Sequence, residues 1–138
     1  MPTILNPYIS FKDNARQALE FYHSVFGGKL SMNTFKEFNA AQNPAEENLI
    51  MHGQLDTDGG LTLMCADTPS YMTYDSGTNI TISLSGENEA ELTALYQKLT
   101  AGGTVEQPLE KAPWGDTFGM FHDQFGVGWM VNIAGPKA

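Results

Sequence analysis

The chain has 138 residues, enough for one ordinary domain or two intimately packed half-domains and too few for two independent ones. An apolar share of 41% supports a globular core, while no run approaches the roughly 20 apolar residues that a membrane-spanning helix needs. With 16 acids against 7 bases the formal charge is −9, spread along the chain, which makes nucleic acid and anionic membrane poor partners.

The opening residues "MPTILNPYISF" contain neither a basic segment nor a long apolar one, so a cytoplasmic location is expected. Within them "NPYISF" alternates β-formers and predicts a strand. Next, "KDNARQALEFYHSVFGGKL" puts Ala15, Ala18, Leu19, Tyr22 and Phe26 on one face of a helix, with Asp13 or Asn14 as N-cap and Gly27-Gly28 as the stop. Strand signals follow in "KLSMNTFKEF", "NLIMHGQLD" and "LTLMCAD", the last two joined by the hairpin-like turn "TDGG". A polar loop, "NAAQNPAEEN", separates the first two of these. Cys65, the single cysteine, lies in the third; with no histidine beside it in sequence it reads as a core residue rather than a nucleophile.

After the connector "ADTPSYMTYDSGT" the order begins again. A short strand, "NITISLS", precedes the helix "GENEAELTALYQKLTAGGTV", whose Leu92, Leu95, Tyr96 and Leu99 share a face, with Asn88 three residues before Glu91 as a capping signal and Gly102-Gly103 as the stop. Three strand signals follow: "GTVEQPLEK", "TFGMFHD" and "VGWMVNI". Strand, helix and three strands are thus written twice, with little residue identity between the copies.

The wording of "LNPYISF", "ALEFYHSVFGGKL", "IMHGQL" and "PLEKAPWGDTFGMFHDQFGVGWMVNI" resembles the PhnB-like branch of the vicinal oxygen chelate superfamily, which includes glyoxalase I, extradiol dioxygenases and bleomycin-binding resistance proteins. The resemblance implies an α+β fold of two βαβββ modules whose curved mixed sheets surround a cleft. One domain over 1–138 is expected, with module 1 at about 3–67, a linker at 68–77, module 2 at about 78–134, and a homodimeric assembly. Some PhnB-like sequences are labelled ubiquinone methyltransferases; this chain has no glycine-rich loop after a strand and no acidic ribose partner to support such a role.

Enzymes of the superfamily hold a divalent metal with histidines and carboxylates on the first and last strand of each module. Laid on that pattern, the positions fall near Asn6 or Tyr8 and Met64 in module 1, and near Asn79 or Thr81 and Met130 in module 2. None is a histidine or carboxylate, and a thioether is a soft, weak donor for a hard cation, so the expectation is no metal and no other cofactor. The leading reading is a small-molecule-binding protein. The alternative is a lyase, isomerase or dioxygenase-type enzyme using His52, or an atypical divalent-metal site that recruits it.

The candidate ligand contacts are Asn6, Tyr8, His52, Gln54, Met64, Thr81, Trp114, Asp116, Met120 and Met130. His52 shares a strand face with Gln54 and can serve as acid/base or ligand donor, or as a half-buried histidine bonded to a neighbour. In "PWGD", Trp114 and Asp116 can form a lid, or plug a sheet end and make an Asx-type turn. His122 is expected to cap a turn, and His23 to lie on the surface of the first helix.

Overall fold

The computed structural model describes residues 3–136 and divides into two compact units, Met1–Ser76 and Gly77–Ala138. Unit 1 contains β1 (Tyr8–Phe11), α1 (Ala15–Phe26), β2 (Lys29–Thr34), β3 (Ile50–Asp56) and β4 (Thr62–Asp67). Its sheet runs β1-β4-β3-β2, with β1 parallel to β4 and the remaining neighbours antiparallel. Unit 2 repeats the plan with β5 (Ile82–Gly86), α2 (Glu89–Thr100), β6 (Thr104–Lys111), β7 (Thr117–His122) and β8 (Gly128–Ile133) in the order β5-β8-β7-β6. The α+β class and the doubled βαβββ order match the sequence reading. No helix among the described residues is long and apolar enough to cross a membrane.

Helix α1 covers one face of its sheet. Ala15, Ala18, Leu19, Tyr22 and Val25 are buried at helical spacing, with Val25 taking the inward position expected of Phe26, which is only partly buried. Opposite them lie Phe11, Leu55, Leu63 and Cys65, the last without a disulfide. A fully buried leucine or phenylalanine contributes about 1.5–3 kcal/mol, so this face holds the unit together. Gly53 permits the close approach, because a Cβ there would run into the Leu19 side chain.

The helix start differs from expectation. Asn14 occupies the N-cap position but its side chain makes no capping bond. Instead the buried Asp67 carboxylate, at the end of β4, accepts from the Ala15 N–H at 2.9 Å with one oxygen and from the Ile50 N–H at 2.9 Å with the other. One side chain thereby fastens helix, central strand and β4 together. In unit 2 the cap is local, as the sequence predicts: Asn88 Oδ1 accepts from the Glu91 N–H at 3.0 Å.

The core of unit 2 sets Leu92 and Leu99 of α2 beside Leu84, Phe121, Trp129, Val131 and Ile133, with Tyr96 edge-on to Phe121 at 5.4 Å. The β7–β8 turn is organised by the buried Asp123, not by His122. Its Oδ1 accepts from the Phe125 and Val127 N–H groups at 2.8 and 3.1 Å, and its Oδ2 from the Trp129 indole N–H at 2.9 Å. A glycine-punctuated segment dense in aromatics is therefore a closing hairpin pinned by one carboxylate.

Candidate functional site

Because side chains alternate across a strand, every strand that buries one face against a helix turns the other away from it. In unit 1 the register places Tyr8 beside Met64, Met64 beside Gln54 and Gln54 beside Ser31, a continuous row across all four strands on the face away from α1. His52 and Asp56 flank Gln54 on the same face of β3, two residues to either side.

These polar groups are connected. Gln54 Nε2 donates to both oxygens of Asp56 at 3.2 Å, the Thr62 hydroxyl donates to Asp56 Oδ1 at 3.0 Å, and His52 Nε2 lies 3.5 Å from Gln54 Oε1. The Tyr8 ring is tilted 37° to the imidazole with centroids 6.2 Å apart. Burial, and secondarily the negative charge that Cys65 would carry, hold the Tyr8 phenol protonated above the ordinary tyrosine range. Tyr8, His52, Gln54 and Met64 are thus brought onto one face, and the structure adds Asp56 and Thr62. The repeated polar residue in "HGQLD" was the available signal for Asp56. Asn6 precedes β1 and stands outside this row.

Unit 2 presents the same row with different chemistry. Met130 pairs with Met120 on β7, and Met120 with Gln107 on β6; one step along, Asn132 pairs with Phe118. On β5 the neighbour of Met130 is Ser83, two residues beyond the expected Thr81, which with Asn79 precedes the strand. Trp129 faces the core, 1% exposed.

The "PWGD" segment is tethered from a distance. Asp116 Oδ2 accepts from the Asn132 amide at 3.0 Å and Oδ1 from the Gly135 N–H at 2.8 Å, so the expected local Asx-type turn is replaced by bonds to the end of β8 and beyond. Those two bonds, the Asn132 one first, hold the Asp116 carboxyl below its usual range. Trp114 remains 62% exposed, its ring edge-on to Phe118 at 5.6 Å. His122 is bonded through Nδ1 to the Glu106 carboxylate, and the exposed His23 to the Gly28 carbonyl at 2.9 Å.

The donors at the positions that the resemblance assigns to a metal can be tested in each unit. Unit 1 offers the Tyr8 phenol and the Met64 thioether; unit 2 offers the Ser83 hydroxyl and the Met130 thioether. Soft thioethers and neutral hydroxyls do not fit a hard divalent cation. Among the described residues, no three His, Cys, Asp or Glu side chains gather as a ligand set.

The comparisons with known proteins follow this architecture. The family described as the Glyoxalase/Bleomycin resistance protein/Dioxygenase superfamily matches residues 4–131. Protein YjdN of Escherichia coli K12 is 29% identical over 140 residues, 94% of this chain and 94% of that one. The crystal structure of protein PA1353 from Pseudomonas aeruginosa is 36% identical, superimposes with a TM-score of 0.79, and the match covers 96% of this chain and 98% of that one. A Bacillus cereus PhnB protein, described as a putative 3-demethylubiquinone-9 3-methyltransferase, is 24% identical with a TM-score of 0.74 over 96% of this chain and 100% of that one; it shares the fold.

Proposed function

Because the chain belongs to the Glyoxalase/Bleomycin resistance protein/Dioxygenase superfamily, we propose that it binds a small, partly apolar organic molecule on the sheet faces turned away from the helices, without a catalytic metal. The observation that carries this reading is the register that sets Met64 beside Tyr8 and Met130 beside Ser83. Side chains of this kind suit contact with apolar carbon and are poor donors to a hard cation. Protein purified without a histidine tag and subjected to elemental analysis is expected to be free of stoichiometric divalent metal; one equivalent held by these residues overturns the reading. Native mass spectrometry of protein taken from its own cells is expected to show mass beyond the bare polypeptide assembly.

A second reading, an enzyme of the same superfamily, is favoured by one specific feature: His52 stands in a hydrogen-bonded chain with Gln54 and Asp56. It predicts an activity that survives metal stripping and disappears in His52→Ala. The Bacillus cereus protein's methyltransferase description is not adopted. A cytoplasmic location and a homodimer complete the proposal, the dimer supported by the exposure of Leu5, Tyr71 and Met72 in unit 1 and of Ile80 in unit 2. Sedimentation of the purified chain as a monomer removes that part alone.

A further inference from the structure

The polar chain on β3 contains more information than the presence of a histidine. A carboxylate accepts hydrogen bonds and cannot donate, whereas a glutamine amide has one accepting and one donating end. Gln54 turns one end toward both oxygens of Asp56 at 3.2 Å, so that end is the NH2 group. Its other end is therefore the carbonyl oxygen, which faces His52 Nε2 at 3.5 Å. A nitrogen facing a carbonyl oxygen must carry the proton if the contact is to be a bond, which leaves the lone pair of the neutral imidazole on Nδ1.

Nδ1 has no hydrogen-bond partner among the described residues, and no side-chain nitrogen or oxygen buried there lacks one, so Nδ1 is open to solvent. The Tyr8 ring lies beside the same imidazole.

We propose that Asp56, acting through Gln54, is a positioning residue that fixes the Nε2–H tautomer of His52, so that Nδ1 accepts a hydrogen bond from the O–H or N–H of a neutral, planar ligand resting beside Tyr8. The inference rests on the small-molecule-binding reading for its ligand and on the donor–acceptor order alone for its tautomer. The charge of −9 disfavours an anionic ligand, and an aromatic ring offers its face to a planar one. Thr62 donates to Asp56 and does not take part in the order of the amide.

The test is a long-range proton–nitrogen NMR correlation on the uniformly labelled full chain, at about two pH units above the ordinary imidazole value near 6.5. Wild-type His52 is expected as a single tautomer with the proton on Nε2. Asp56→Ala and Gln54→Leu, which break the chain at two different points, are expected to restore the tautomer mixture of a free imidazole, while Thr62→Val leaves the single tautomer intact. A mixture in the wild type, or an unchanged single tautomer in both breaking variants, overturns the positioning role. Phenol, which can donate, is expected to shift the Nδ1 resonance in the wild type; anisole, its methyl ether, is not. Equal responses, or none, overturn the ligand class and leave the tautomer result standing. The tautomer is read with no ligand present, so its outcome is separate from that of the binding proposal itself.

Discussion

The two units share one plan and diverge in the chemistry of the face turned away from the helix. Unit 1 carries a hydrogen-bonded row of His52, Gln54, Asp56 and Thr62 beside Tyr8, whereas unit 2 carries Met120, Met130 and Phe118. The doubled order therefore fixes where side chains stand and leaves what they do to the individual residues. One face is built to set the direction of a hydrogen bond; the other offers polarisable, shape-tolerant surface.

The same divergence appears in how each helix is held, and that is where the largest effect is expected. Asp67→Ala strips partners from two backbone N–H groups at once, at Ala15 and Ile50, and should lower unfolding stability by about 3 kcal/mol. Asn88→Ala removes one exposed local cap and should cost about 1 kcal/mol. Urea unfolding of the two variants side by side decides the matter; equal losses would mean that the long-range fastening adds nothing.

Asp116 gives a smaller, pH-dependent effect confined to unit 2. Its carboxyl pKa is lowered in the folded protein, so the stability it contributes is present at neutral pH and is lost as pH falls from the ordinary carboxylate value near 4 through the lower folded value. Asp116→Asn should flatten that part of the acid-unfolding curve by lowering stability at neutral pH, where the carboxylate accepts from Asn132 and Gly135, and should leave stability in acid below the folded value little changed. In unit 1 the matching observation is spectroscopic and smaller still. Tyr8 is raised, so its phenolate absorbance should appear only above the ordinary value of about 10, as a late step missing from Tyr8→Phe. Any stability tied to that shift is intact below pH 10 and declines as pH rises through the folded value.

Periodicity made the strands, both helices and their order legible, since burial on one face imposes a period of two or 3.6 on the residues themselves. Register was less legible. "NITISLS" alternates small polar residues with isoleucine and leucine, which identifies the inward face but not which polar residue stands beside Met130, and the structure assigns Ser83 where Thr81 was expected. The capping role of Asp67 had no local signature, because its partner Ala15 is 52 positions away. Asp56 was hidden for another reason: at the end of β3, before a turn, an aspartate reads as turn chemistry, although its alternation with His52 and Gln54 already placed it on their face.

The parallel pairing of β1 with β4 has a kinetic meaning. Tyr8 meets Met64 across 64 − 8 = 56 positions, while β3 meets β4 through a short turn. Closing so long a loop costs more chain entropy than forming the hairpin, so β1 is expected to join its sheet after β3 and β4 have paired. Amide pulse-labelling during refolding should find β1 unprotected after β3 and β4 have closed, with Tyr8 arriving beside His52 only in the final step.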